Sequence, residues 1–557
     1  MKANGIGGTS SASWIAGIGL VLIVAVPFVF ILLQAVFPQL GSGSLAAPFS
    51  QIGNTLADPK LIKLSLNTIG LGLGVALLSA LIAVPLAVCR ALFRVPGAPV
   101  WDALMLVPFM IPPYIATLGW IMSLQPRGYL QQVLGFNLAP FLFSIYGVIF
   151  VMALSCFPVV YFAVSRTLEA VGARYADVAQ VFGASPVKAF FRITLPLSTP
   201  GLAASLLLVF AMAIEEYGTP AKLGRQTGFD VLVTGIDQRV SDWPVDLAGA
   251  SIMALTLVLL SLVAFLVQRW VVLRRNFETT TGKPQAIVKR PLGRMTLPVL
   301  LGFGLVAFLA TGIPLLAILL TALSRTLSGG LAPTNMGLQN FVEIFTNGAG
   351  ALKALGNSLT LGIATALLVG LLGAVAAYVV TKTQTRGRFL LDVLTVLPNA
   401  LPGIVVALGL ILAWNQPILP ITPYNTPLIL LLAYCCIMLP QPVRYTNAAF
   451  LQIGSNLEAA ARVCGASSLT AFRRIMLPLI MPSLVASMLL VFAVASRELV
   501  ASLLVAPVGM STISTFIWRQ FEQGSVGLGM AMAFLTIIIT TLIPLAILGL
   551  MRKGPML

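Results

Sequence analysis

Histidine is missing from all 557 residues. Its absence excludes a histidine general base and any histidine-held zinc site within the chain. Cysteine is scarce, with 5 residues and no Cys-x-x-Cys spacing. Cys89, Cys156, Cys435, Cys436 and Cys464 mostly sit in or beside apolar stretches. They read as small buried apolar side chains, not as a disulfide frame or a metal centre. Charge is scarce too, at 9% of residues. The phosphate-cradling pattern Gly-x-x-x-x-Gly-Lys-Ser/Thr is absent, because the one Gly-Lys pair, Gly282-Lys283, runs into Pro284. No catalytic residue and no cofactor is therefore expected in this chain, which does not read as an enzyme. Any ATP hydrolysis that drives it must occur in another chain.

What is present is apolar. Hydrophobic residues make up 58% of the chain, and its mean hydropathy is +1.00. A soluble chain of this length needs far more charge, so a polytopic, all-α membrane protein is predicted. Runs of about twenty residues give about twelve spans, near 14–37, 64–89, 103–124, 143–165, 199–217, 247–271, 297–323, 357–381, 391–414, 427–447, 482–505 and 527–551. The first run is too long for a signal-peptide core and reads as an uncleaved span. The net charge of +17 does not signal nucleic acid, since the basic residues are scattered and no aromatic-interleaved basic face occurs. They concentrate in alternate connections, which places both termini and the charged loops in the cytoplasm by the positive-inside rule.

Twelve spans divide into two copies. Asp177, Ala179, Gly183, Ser185, Arg192, Leu195, Pro196 and Pro200 lie 282 residues before Ala459, Ala461, Gly465, Ser467, Arg474, Leu477, Pro478 and Pro482. Ser205, Phe210 and Glu216 match Ser487, Phe492 and Glu498 at the same offset. Asn67, Gly72, Asp102, Pro108 and Pro112 match Asn357, Gly362, Asp392, Pro398 and Pro402 at an offset of 290. Matches at fixed spacing mean an internal repeat. The offset change places eight extra residues around Gln125–Pro140. The expected domains are a six-span half over 1–271, a flexible cytoplasmic linker over 272–296, and a second half over 297–557. Six spans per half give parallel repeats about an axis along the membrane normal.

Local chemistry shapes the repeated loop. Ser455 with Glu458 is a capping-box signature for a first short helix. Gly465 supplies a left-handed residue to end it. Ser467, like Ser185 before Pro186, caps a second short helix. Pro478 and Pro482 are expected to mark that helix's end. The stretch from Glu458 through Ala460, Ala461 and Gly465 to Leu477-Pro478, with its first copy, resembles the "EAA" loop of binding-protein-dependent ATP-binding-cassette (ABC) importer permeases. The acid stands one residue early in the second copy, and Val178 replaces the first alanine in the first. The resemblance implies that Asp177, Ala179, Gly183, Arg192, Leu195, Pro196, Glu458, Ala460, Ala461, Gly465, Arg474, Leu477 and Pro478 form coupling loops. It also implies two ABC ATPase subunits on the cytoplasmic side, carrying ATP and Mg, a periplasmic or lipid-anchored solute-binding protein, and a bacterial inner membrane. An ordinary amphipathic loop would not need the same glycine and prolines twice.

Other groups keep two readings each. Glu215, Glu216, Tyr217 and Glu498 are near-membrane polar groups, and ionisable groups there commonly line a path. They read equally as interfacial acids, with Glu498 paired to Arg497. Pro108, Pro112, Pro398 and Pro402 interrupt two spans and mark either a gate or packing kinks. The outer segments 218–246 and 506–526 are either docking surfaces or solvated loops. Fused two-by-six permeases look most like the ferric-iron branch, in which a string in the eleventh span resembles Glu498-Leu499-Val500-Ala501-Ser502-Leu503-Leu504. Iron(III) suits carboxylate and phenolate oxygens. Thiamine and 2-aminoethylphosphonate permeases share the layout. An ion-gradient-driven secondary transporter is the alternative of another class, though it leaves the duplicated loop unexplained.

Overall fold

The computed structural model describes residues 6–171, 174–274, 289–346, 350–383, 387–416, 422–454, 457, 460–461 and 463–553. Among the described residues, nine helices are long and apolar enough to cross a membrane: Ser13–Val36, Pro59–Leu92, Ile145–Glu169, Phe190–Glu215, Leu247–Val272, Gly293–Leu323, Ala351–Lys382, Phe472–Ala495 and Val526–Pro544. Three bent pairs bring the number to 12 when each pair is counted as one span. The pairs are Ala98–Met110 with Pro113–Leu134 at 94°, Arg388–Ala400 with Gly403–Trp414 at 116°, and Pro427–Met438 with Pro440–Gln452 at 43°. The third, ninth and tenth expected spans are thus broken helices.

The breaks follow from proline. A residue before proline is driven out of the α region. Ile111, before Pro112, takes φ −84°, ψ 127°, and Leu401, before Pro402, takes φ −107°, ψ 103°. Pro112 and Pro402 are themselves extended, and each opens the next helix. Pro108 stays inside its helix and Pro398 lies in a 3₁₀ turn, both buried. At the shallow bend Leu439 keeps helical angles, so Pro440 only tilts the axis.

The chain forms two compact units that do not follow its two halves. One comprises Met1–Asp58, Ile236–Val258 and Leu338–Leu557; the other comprises Pro59–Gly235 and Leu259–Gly337. The first span therefore packs among second-half helices, and the seventh among first-half helices. A repeated glycine makes each contact. A Cβ on Gly409 would stand 2.6 Å from the Pro27 carbonyl oxygen, and one on Gly119 would stand 2.7 Å from that of Pro314. Only glycine lets these helices meet backbone to backbone. Just before each of these prolines the helix widens into a π-turn, Val21–Ala25 and Phe308–Gly312. Proline lacks the N–H for a normal turn and crowds the preceding carbonyl.

Sheet is confined, among the described residues, to one two-residue parallel pairing of Phe93–Arg94 with Arg290–Pro291. Of the expected linker over 272–296, residues 275–288 lie outside the described residues; its last part pairs beside the end of the 59–92 helix.

Candidate functional site

The repeated loop has the same elbow in both copies. In the first, the helix Arg174–Val181 ends at Gly183, whose φ is +86°. The Ala184 N–H donates to the Ala179 carbonyl at 2.9 Å and the Gly183 N–H to the Gln180 carbonyl at 2.9 Å. This is a Schellman cap, which satisfies carbonyls that a helix end leaves free. In the second copy Gly465 takes φ +83°, and the Ala466 N–H donates to the Ala461 carbonyl at 3.0 Å. Nothing lies within 4 Å of a Cβ built on either glycine. Positive φ, not crowding, is what demands glycine here.

Beyond the elbow a serine caps the next helix. Ser185 Oγ accepts the Lys188 N–H at 3.3 Å, and Ser467 Oγ accepts the Thr470 N–H at 3.2 Å. That helix is not short. Helical backbone continues unbroken from Pro186 to Glu215 and from Ser468 to Ala495. The π-turns Phe190–Thr194 and Phe472–Met476 carry it past Pro196 and Pro478. The prolines expected to end the second helix widen one turn instead, so the helix after the elbow and the span are one rod.

The elbow presents apolar side chains to solvent. Val181 and Phe182 are 84% and 85% exposed, and Val463, the match of Val181, is 86% exposed. Ala460 is exposed, Ala461 is buried, and Arg192 and Arg474 are exposed on the π-turns. Leu195 and Leu477 are half-buried and Pro196 and Pro478 exposed. Asp177 lies on the first loop helix. Glu458 and the Ser455 cap fall outside the described residues.

The supports beneath the two elbows differ. Under the first, Arg90 holds Asp102 through Nε at 3.0 Å and Nη2 at 2.7 Å. The Tyr161 hydroxyl donates to Asp102 at 2.8 Å, and Lys289 Nζ pairs with Glu169 at 3.0 Å. Under the second, Ala377, Tyr378, Ala449, Phe450, Met476 and Ile480 form an apolar cluster, with Phe472 and Leu477 packed on it. The Tyr378 and Phe472 rings meet edge-on at 5.0 Å.

The matched acids sit beside the broken spans. Glu498 accepts the Ala501 and Ser502 N–H groups, each at 3.1 Å. It thereby satisfies the first free donors of the helix Val500–Val505. Ser502 Oγ also bonds the Tyr434 hydroxyl at 2.6 Å. A Cβ on Gly403, the residue after Pro402, would stand 3.9 Å from Glu498 Oε1. Glu216 likewise accepts the Thr219 N–H at 3.3 Å. A Cβ on Gly218 would stand 3.2 Å from Glu216 Oε1 and 3.3 Å from the Tyr114 Cα, just past Pro112 and Pro113. Glu215 ends the helix Leu195–Glu215, and Tyr217 is buried after it. Each unit thus places its acid next to its own proline break.

Sequence reasoning missed a duplicated clamp at the other end of the 59–92 and 351–382 helices. Asn67 Nδ2 donates to the Asp230 carbonyl at 2.8 Å and Thr68 Oγ1 accepts the Leu232 N–H at 2.9 Å. Asn357 Nδ2 donates to the Ser511 carbonyl at 2.9 Å and Ser358 Oγ accepts the Ile513 N–H at 2.8 Å. These pairs fix the starts of the helices Leu232–Ser241 and Ile513–Glu522 in the expected outer segments. The signal was visible as the repeated Asn-Thr and Asn-Ser, but a polar pair opening a span does not name its partner. Among the described residues, no group of three or more Cys, Asp or Glu is placed to hold a metal ion.

The chain matches the family described as "Binding-protein-dependent transport system inner membrane component" over residues 83–276 and again over 366–553. It is 26% identical over 506 residues to the ferric transport system permease protein FbpB of Actinobacillus pleuropneumoniae, covering 89% of this chain and 72% of that protein. It is 23% identical over 506 residues to the Fe(3+)-transport system permease protein FbpB 2 of Haemophilus influenzae, covering 89% and 90%. A permease named PhnV, for 2-aminoethylphosphonate transport, from Salmonella paratyphi A is 29% identical over 231 residues, which is 42% of this chain and 85% of that one. Two family matches spanning more than half of an apolar helical chain, one around each repeated loop, place it: the chain belongs to the binding-protein-dependent transport system inner membrane components.

Proposed function

We propose that the chain is the fused permease subunit of an ATP-driven importer that moves iron(III) from a binding protein across the bacterial inner membrane, with both termini cytoplasmic. The observation that carries this reading is the exposed apolar elbow, built the same way in both copies. A solvated loop has no use for Val181, Phe182 and Val463 at its tip, whereas a docking helix does. Two elbows fit two ATPase subunits, which hold the ATP and Mg. Because each elbow continues into a span as one rod, a push on the elbow reaches the membrane without a joint. The proline breaks give the neighbouring spans a place to yield.

The choice of iron(III) rests on the relatives named for ferric transport and on the two carboxylates beside the breaks. Carboxylate oxygens are the ligand type a hard cation takes. Thiamine, 2-aminoethylphosphonate and other small solutes remain the competing cargoes, and a gradient-driven carrier the competing class. One experiment separates them. The chain is expressed with its neighbouring ATPase and binding protein, and uptake of labelled iron(III), thiamine and 2-aminoethylphosphonate is measured with and without an ATPase-inactivating substitution in the partner. Iron uptake that needs the active ATPase is expected. Uptake that survives its inactivation and collapses with the proton gradient rejects the ATP-driven reading.

A further inference from the structure

We propose that Lys289–Pro291, at the end of the inter-half connection, is a strap that positions the first docking elbow, and that Lys289 and Arg290 are its positioning residues. The proposal rests on the coupling reading above. Three elements meet on this segment. Its backbone pairs in parallel with Phe93–Arg94, just past the 59–92 helix, and Arg94 Nε donates to the Lys289 carbonyl at 2.9 Å. Lys289 Nζ donates to the Arg90 carbonyl at 3.0 Å and to Glu169 Oε1 at 3.0 Å. The first contact caps a carbonyl that the helix end leaves free; the second ties in the end of the 145–171 helix. Arg290 Nη2 then donates to Gln180 Oε1 at 2.9 Å, and Gln180 is the residue whose carbonyl accepts the Gly183 N–H in the elbow.

The strap thus spans from the base of two membrane helices to the elbow itself. Beneath the base, Arg90 is held by Asp102, and Asp102 by Tyr161, so the anchor is fixed from below. Among the described residues no strand pairs beside the second elbow, which rests on its aromatic cluster and on Lys382 Nζ donating to the Ile453 carbonyl at 2.9 Å. A connection that comes between the halves in sequence therefore serves the first elbow only. A partner docking there meets a helix that the strap holds through Gln180.

The test is amide hydrogen exchange on the purified full chain, comparing wild type, Lys289→Ala/Arg290→Ala and Lys289→Arg, with uptake measured in cells carrying the whole system. Residues 174–189 of the double variant should exchange about two- to fivefold faster, as expected for loss of exposed polar contacts. The matched stretch 463–471 should be unchanged, which separates local release from general loosening. Lys289→Arg should behave as wild type, and uptake should fall only in the double variant. Unchanged exchange at 174–189, or equal acceleration at both elbows, overturns the proposal. Faster exchange with full uptake overturns it as well, without touching the coupling reading, which Gly183→Val tests separately.

Discussion

The two elbows share one backbone geometry and stand on different foundations. The first rests on Arg90, Asp102, Tyr161, Glu169 and Lys289, tied by directional bonds. The second rests on Tyr378, Phe450, Phe472, Met476 and Ile480, held mainly by apolar area and ring contacts, with one Lys382 bond to the Ile453 carbonyl. At the repeat offsets Asp102 matches Asp392, but the other partners do not correspond. Tyr161 matches Val443, Glu169 matches Leu451 and Phe450 matches Leu168; only Phe472 has an aromatic match, in Phe190. What the copies share is the surface a partner would meet. What they do not share is the means of holding it still, and the two means respond to different insults.

Truncating the apolar support should have the largest effect. Phe450 is fully buried, and Phe450→Ala is expected to cost about 3–5 kcal/mol through lost transfer energy and a cavity. The second elbow should loosen in hydrogen exchange while the first stays protected. Salt should not change the result. Equal loosening of both elbows would break the comparison.

Next in size is the polar support. Asp102→Ala leaves Arg90 and the Tyr161 hydroxyl without a shared acceptor in a half-buried site. A loss of about 1–3 kcal/mol is expected. Asp102→Asn keeps one acceptor oxygen and should recover part of it. Thermal unfolding, read beside exchange at 174–189, checks both, and an unaffected first elbow would count against the polar foundation.

How much of this was legible follows from what each signal encodes. Gly183, Gly465, Ser185 and Ser467 were readable because a positive-φ cap and a serine cap are local chemistry. The breaks at Pro112 and Pro402 were readable for the same reason, though the size of each bend was not. Pro478 and Pro482 misled, since proline is compatible with a continuous helix once a π-turn absorbs the strain. The exchange of the first and seventh spans was illegible: Gly119 and Gly409 announce a close approach, but not by Pro314 and Pro27. The strap was hidden because Lys289 and Arg290 look like any positive-inside residues until the backbone beside them is seen. Glu216 and Glu498 were legible as matched acids; their place beside the breaks and their bonds to backbone N–H groups were not.

The shared geometry is tested by the elbow glycines. Gly183→Val and Gly465→Val each force a β-branched residue to positive φ, at a local cost of about 1–2 kcal/mol. Because a Cβ meets nothing within 4 Å at either site, the cost is conformational and should be equal in the two copies despite their different foundations. Asn, which tolerates this region, should be milder at both. Insertion should persist while uptake falls to a similar degree in each single variant. A large difference between copies would show that the foundations set the coupling strength, not the elbow.

The smallest expected effect on stability is at the matched acids, and it carries the most information about cargo. Glu498 accepts two backbone N–H groups and the Ser502 hydroxyl. Glu498→Gln keeps one acceptor oxygen and places an amide nitrogen at the other position, so about 1 kcal/mol should be lost. Glu498→Ala frees both N–H groups and should cost about 1–2 kcal/mol, as for a lost helix cap. Glu216→Gln follows the same logic at the Thr219 N–H. If the carboxylates serve only as caps, uptake should follow stability, with Ala worse than Gln at both positions. If their charge also acts on a cation, Gln should depress iron(III) uptake as far as Ala does while the melting temperature barely moves. The comparison needs uptake and thermal unfolding on the same four variants at matched expression. Gln variants with wild-type iron(III) uptake would leave Glu216 and Glu498 as caps that hold the segments after the breaks, and would move the search for cargo ligands elsewhere in the two units.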